Sequence, residues 1–209
     1  MKIKVCGVRT MAAARACDRG GADMAGLNFV STSRRRVDVR GARGLLPALG
    51  AVTPVGVFMD QPGEEVAAVA LALGLSWVQL HGAEGPELCR GLAGRFSVIK
   101  ALTADEALDS DLVAAYAPHV CAFLVDGRAP GSGRAWRWSR LASFGGVVAG
   151  RPLWLAGGLC PESVAGAVVC ARPKGVDVAS GVETDGEQDE ARIVAFCEAA
   201  RSHKGEEAP

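Results

Sequence analysis

The sequence predicts a single (β/α)8 TIM barrel, an α/β fold of eight parallel strands each followed by a helix. Three observations point there. Short apolar runs alternate with helix-period segments eight times, almost without interruption. The chain, at 209 residues, suits one such domain and leaves no room for a second. Hydrophobic residues make up 49% of it but aromatics only 5%, so Ala, Val, Leu and Gly must build the core. That mixture fits stacked parallel strands and helices better than a coiled coil or a disordered chain. A doubly wound open sheet would bring fewer units and a marked dinucleotide loop, and this chain has neither.

The expected strands are Ile3–Cys6, Ala25–Val30, Pro54–Phe58, Trp77–Leu80, Ser97–Ala101, Cys121–Val125, Leu153–Ala156 and Val176–Ala179. Each is short, apolar and followed by polar or Gly-rich residues, as strands buried on both faces should be. Helical patterns lie between them. Val66, Val69, Ala70 and Leu73 fall at i, i+3, i+4 and i+7, with Gly74 placed as a C-cap. Val164, Ala167, Val168 and Ala171 repeat the spacing, with Pro161 expected in that helix's first turn. Ile193, Phe196, Cys197 and Ala200 repeat it once more. The barrel is expected to span residues 1–203, and the polar end at 204–209 to be a frayed tail.

Charge and cysteines narrow the function. Lys and Arg number 23, as do Asp and Glu, so no global field draws the protein to nucleic acid or to a membrane. The apolar stretch at Met1–Cys6 is far too short for a secretory signal, and no run approaches the roughly 18 apolar residues of a membrane span. A cytoplasmic protein is expected. The seven cysteines are scattered, with no C-x-x-C pair and no Cys/His cluster, which argues against a disulfide framework or a metal. Most read as buried reduced thiols.

In this fold chemistry collects at the carboxyl ends of the strands. Strand one ends in Cys6-Gly7, strand four in His81-Gly82, strand five in Lys100-Ala101 and strand six in Asp126-Gly127. Gly157 and Gly158 follow strand seven, and Ser180-Gly181 follows strand eight. Paired glycines let backbone approach an anion closely, and a following helical turn offers amide hydrogens and a favourable dipole; two such loops on adjacent strands point to a phosphate. Cys6 reads either as a small buried hydrophobe or, at the barrel mouth, as a base if its thiol is acidified. Asp126 reads either as a turn-starting residue or as its acid counterpart. Arg35 offers a planar fork to a carboxylate, while Arg34 and Arg36 read as solvated charges. His81 reads as a polar residue packed beneath the site or as part of it. Lys100 stands where an imine-forming lysine would.

Taken together, these strand ends resemble the phosphoribosylanthranilate isomerase family of tryptophan biosynthesis, a β/α-barrel family. The resemblance is carried, in order and over essentially the whole chain, by Lys4-Val5-Cys6-Gly7, Gly21-Ala22-Asp23, Ser33-Arg34-Arg35, Val55-Gly56-Val57-Phe58 and Gln79-Leu80-His81-Gly82. It continues through Ile99-Lys100-Ala101, Gly131-Ser132-Gly133, Leu155-Ala156-Gly157-Gly158-Leu159 and Val176-Asp177-Val178-Ala179-Ser180-Gly181-Val182-Glu183.

The resemblance implies an Amadori rearrangement of N-(5-phosphoribosyl)anthranilate to its ribulose form. Asp126 would be the general acid that opens the furanose ring, and Cys6 the general base that takes the proton from sugar C2. Arg35 would hold the anthranilate carboxylate, and His81, Gly157, Gly158, Ser180 and Gly181 complete the substrate-binding set. No cofactor and no metal is implied, because the substrate's own nitrogen is the electron sink. The partner is a small phosphorylated substrate, and a monomer or a homodimer is expected. The chain departs from the family pattern at Ala13, Arg36 and Cys160, at Trp136-Arg137-Trp138, and in a shortened loop after Asp126. A diverged paralogue acting on a related phosphoribosyl-amine, and a barrel that binds a phosphorylated ligand without turnover, are the alternatives. A decarboxylating indoleglycerol phosphate cyclase would want a Lys/Glu-rich face, and a metal-dependent epimerase two strand-end histidines; neither pattern is here.

Overall fold

The computed structural model describes residues 1–127, 141–142 and 146–202. Eight strands form its centre: β1 (Lys2–Cys6), β2 (Met24–Asn28), β3 (Thr53–Phe58), β4 (Trp77–Leu80), β5 (Ser97–Thr103), β6 (Ala122–Asp126), β7 (Arg151–Ala156) and β8 (Gly175–Val178). Each pairs in parallel with the next, and β8 pairs back onto β1, so the sheet closes into a barrel without an edge.

All eight expected strands are present, with ends shifted by at most two residues. β2 stops at Asn28 rather than Val30, because the Asn28 amide oxygen accepts from the Val30 N–H at 2.9 Å and turns the chain outward. β5 runs on to Thr103, whose hydroxyl joins Glu106 in a capping box. β6 carries Asp126 as its own last residue.

The helices are α1 (Met11–Gly20), α2 (Val39–Leu45), α3 (Gly63–Leu73), α4 (Pro86–Ala93), α5 (Ala104–Leu108), α6 (Ser110–Tyr116), α7 (Val164–Ala171) and α8 (Glu190–Arg201). On α3 the stripe Val66, Ala70 and Leu73 is buried, and Gly74 closes the helix at φ 66°. On α8 the stripe Ile193, Phe196, Cys197 and Ala200 is buried as its spacing requires. Pro161 differs from expectation: it lies in the turn before α7, not in the helix. The Ser163 hydroxyl accepts from the Cys160 N–H at 3.0 Å, which closes that turn and delays the helix to Val164.

Strand alternation divides the core in two. Ile3, Val5, Leu27, Phe58, Leu80 and Phe123 pack outward against the helices. Met24, Val55, Ile99, Ala101, Ala122, Leu124, Trp154 and Ala156 form a separate cluster that fills the barrel. By the same alternation, Lys4, Cys6, Gln79, His81, Asp126 and Asp177 fall on the inward face, where no apolar neighbour needs them. After β8 the chain makes a single turn at Ser180–Val182, and then Glu183–Thr184 pairs antiparallel with Glu187–Gln188 over the barrel mouth. Gly131-Ser132-Gly133, Trp136-Arg137-Trp138, most of the loop after Asp126 and the tail at 204–209 lie outside the described residues.

Candidate active site

A cavity of about 270 Å³ opens at the carboxyl ends of the strands. Its walls include Cys6, Arg35, His81, Asp126, Gly157, Gly158 and Ser180, so seven of the eight expected site residues meet in one pocket. The eighth, Gly181, lies behind the wall. A Cβ at that position would collide with the Leu159 carbonyl oxygen, so glycine there lets the loops after β7 and β8 touch. Arg192 reinforces the contact, donating from Nε and Nη2 to the Gly181 carbonyl at 3.2 and 3.1 Å. Gly157 and Gly158 take φ of 84° and 71°, left-handed values that turn backbone rather than side chain toward the cavity.

Cys6 has company that the sequence did not advertise. Two residues back on the same face of β1 is Lys4, which is fully buried, and its Nζ lies 2.9 Å from Oδ1 of Asp177 on β8. The two residues are direct register partners across the barrel seam. Gly26 is the register partner of Cys6 on β2, and a Cβ there would sit 2.9 Å from the Cys6 sulfur and 3.1 Å from the Lys4 ammonium. Glycine at position 26 therefore makes the space in which thiol and ammonium meet. Burial pushes the Cys6 thiol above its ordinary pKa, against the pull of the Lys4 charge. For Lys4 burial acts downward, but Asp177 and Cys6 together outweigh it and hold the ammonium above its usual value. Asp177 is raised by burial, against the pull of Lys4.

Arg35 reaches the pocket from the loop after β2. Its Nε donates to Oε1 of Glu183 at 2.5 Å and its Nη2 to Oε2 at 2.9 Å. Arg34, read from sequence as a solvated charge, also pairs with Glu183, while Arg36 is exposed. Gly7 lets the Arg35 stem lie across the end of β1, since a Cβ there would collide with Arg35 Cδ. Cys6 and the residue that makes room for Arg35 are thus neighbours in the chain.

His81 stands in the wall beside Asp126, with Nε2 3.6 Å from Oδ2, and Gln79 contacts its Nδ1 from below at 2.8 Å. Lys100 closes one reading that its position had left open. Ile99 and Ala101 point into the barrel, so Lys100 points out, where its Nζ donates to Gly82 O at 2.6 Å, Ala101 O at 2.9 Å and Glu84 Oε2 at 3.1 Å. At 1% exposed and fully engaged, it is a buried structural ammonium and not an imine-forming nucleophile.

The family model described as N-(5'phosphoribosyl)anthranilate (PRA) isomerase matches residues 3–199. The chain belongs to this isomerase family. An N-(5'-phosphoribosyl)anthranilate isomerase of Moorella thermoacetica is 39% identical over 96% of this chain and 90% of its own. The phosphoribosyl anthranilate isomerase structure from Thermotoga maritima superposes with a TM-score of 0.86 at 36% identity, covering 96% of this chain and 98% of that one. A phosphoribosyl anthranilate isomerase in complex with reduced 1-(o-carboxyphenylamino)-1-deoxyribulose 5-phosphate superposes with a TM-score of 0.83 at 34% identity, covering 96% and 98%.

Ala13, Arg36 and Cys160, where departures from the family pattern are expected, all fall off the pocket wall. Ala13 is buried in the helix layer, Arg36 is exposed, and Cys160 contacts Ser163. Lys4, Gln79, Asp177 and Glu183 are the site residues that sequence reading left without a role. Among the described residues, no group of three or more His, Cys, Asp or Glu is placed to hold a metal, and no helix is long and apolar enough to cross a membrane.

Proposed function

We propose that this chain converts N-(5-phospho-β-D-ribosyl)anthranilate to 1-(2-carboxyphenylamino)-1-deoxy-D-ribulose 5-phosphate, an Amadori rearrangement of tryptophan biosynthesis. One observation carries the reading: a thiol and a carboxyl group share a cavity whose wall also holds an arginine and a glycine-rich loop. A substrate with a carboxylate at one end and a phosphate at the other spans such a cavity, with its sugar against Cys6 and Asp126. The catalytic pair is Cys6 and Asp126; the binding residues are Arg35, His81, Gly157, Gly158 and Ser180, with Gly181 shaping the loop.

Asp126 gives a proton to the furanose ring oxygen as the C1–O bond breaks, and the nitrogen lone pair becomes the second bond of a C=N iminium. Cys6, as thiolate, takes the proton from C2, and those electrons flow toward nitrogen to give an enolamine that settles as the ketone. Anchoring both ends of the substrate turns the proton transfers into steps within one complex. Each positioned acid or base contributes about 10²–10⁴-fold. The Lys4 ammonium beside Cys6 is the charge that favours the thiolate once it forms.

Keeping both Cys6 and Asp126 in one pocket favours turnover over ligand binding alone, which needs neither. With this role we assign the protein to the cytoplasm, as a monomer or homodimer; the Thermotoga maritima relative is described as dimeric. The test is complementation of a tryptophan auxotroph that lacks the isomerase. Wild type should restore growth, and Cys6→Ser and Asp126→Asn should not. No growth with wild type would sink this substrate in favour of a related phosphoribosyl-amine.

A further inference from the structure

Gln79 is fully buried on the inward face of β4, two residues below His81. Its Nε2 lies 2.8 Å from the ring nitrogen Nδ1 of His81. With the amide turned this way its nitrogen donates, Nδ1 accepts, and the tautomer that matches is the one with its proton on Nε2. That nitrogen faces Asp126, 3.6 Å from Oδ2. Contacts of this kind shorten when a substrate closes a site. The other end of the same amide, Oε1, is buried without a hydrogen-bond partner among the described residues. A hydrocarbon side chain of similar shape would avoid that loss, since a buried acceptor left unmade weakens folding. The amide is therefore a poor choice for the core and a specific one for His81.

We propose that Gln79 is a positioning residue for the general acid: it sets His81 as the Nε2–H tautomer, so that an N–H donor and not a bare ring nitrogen faces Asp126. The proposal rests on the reaction assigned above. The acidic proton of Asp126 passes to the sugar ring oxygen as the C1–O bond breaks, the bonding pair going to that oxygen and the nitrogen pair forming C=N. The carboxylate left on Asp126 then faces the His81 N–H, and a hydrogen bond formed to that charged acceptor is stronger than one to the neutral acid. His81 thus favours the state in which the proton has been given away, and it needs no proton of its own to move.

Histidine-selective 15N labelling of the full chain reads the tautomer, because a protonated and a bare ring nitrogen resonate far apart. His81→Asn identifies the signal among the three histidines of the sequence. Wild type should show a proton on Nε2 and a bare Nδ1. Gln79→Glu offers only an acceptor, so it should place a proton on Nδ1 and lower kcat by about tenfold or more, with KM within about threefold. Gln79→Met offers neither donor nor acceptor, keeps the volume, and should give mixed tautomers with an intermediate kcat. A wild-type proton on Nδ1 overturns the proposal, as does a Gln79→Glu protein that moves the proton but keeps wild-type kcat. If wild type turns over no phosphoribosylanthranilate, the assigned reaction fails instead, and the wild-type tautomer still decides the Gln79–His81 step.

Discussion

Glu183 holds Arg35 by two hydrogen bonds, Nε to Oε1 at 2.5 Å and Nη2 to Oε2 at 2.9 Å, with its own side chain 4% exposed. The pairing uses the side-on edge of the guanidinium, which is one of its two bidentate faces. The edge made by Nη1 and the second N–H of Nη2 is the one left to a ligand carboxylate. In its proposed role Arg35 is therefore a pre-aimed anchor, its direction decided by a residue 148 positions away.

Removing the anchor should raise KM. Hydrogen bonds to charged groups are worth about 1.5–3 kcal/mol, so Arg35→Ala should raise KM by roughly 10–100-fold while kcat stays within a few-fold. Glu183→Gln keeps the shape but loses the charge, and should raise KM by less. Steady-state kinetics with the phosphoribosylanthranilate substrate checks both, and an unchanged KM in Arg35→Ala would place the carboxylate elsewhere.

Burial raises the Cys6 thiol, and a base works only when deprotonated. The rate constant kcat/KM should accordingly climb as pH rises through the neutral range, with the plateau on the alkaline side. Lys4→Met removes the opposing positive charge and should push the limb further up. A limb on the acid side of neutrality would mean that the base is not Cys6. Cys6→Ser, whose hydroxyl is far harder to ionise, should cost about 10² or more in kcat.

Lys4 and Asp177 form an ion pair with side chains 0% and 6% exposed. Taking away one partner strands a buried charge, so Lys4→Met should destabilise the fold by about 3–5 kcal/mol in urea unfolding. Lys4→Met combined with Asp177→Leu should recover much of that loss, because an apolar pair carries no desolvation penalty. Equal destabilisation of single and double variants would show that the pair does more for stability than its charges require.

Three thiols off the active site should limit stability in alkali. Burial raises Cys17 to about 12 and Cys89 and Cys197 to about 11. Unfolded thiols ionise near 8.5, so the unfolded state loses protons first as pH rises. The stabilisation is thus complete below about pH 8.5 and is lost progressively toward pH 11–12. Denaturant midpoints measured from pH 8 to 10.5 should fall, and Cys17→Ala should flatten the slope. In the native protein the exposed Cys121 and Cys170 should react with a thiol reagent well before these three.

Much of the fold was legible because its signals are local. Eight apolar runs, the 3.6-residue stripes on α3 and α8, and glycine at helix ends each depend on neighbours a few residues apart. Cys6, Asp126 and the glycines after β7 and β8 were legible for a related reason: position at a strand end names the rim, whatever the partner strand. The Lys100 reading failed where a local rule already spoke. Ile99 and Ala101 face inward, and alternation then sends Lys100 outward.

What the sequence alone determined is the alternation of elements, the rim on which chemistry collects, and the residues whose types suit an acid, a base and two anion anchors. What only the tertiary structure decided is how those residues are tuned. Lys4 meets Asp177 across 173 residues because barrel closure makes β1 and β8 neighbours. Glu183 meets Arg35, Gly26 makes room for Cys6, and Gln79 orients His81 only once the inward faces of separate strands share one cavity. Such contacts leave no periodic trace, since a buried charge or amide on an inward face is compatible with many partners until closure selects one.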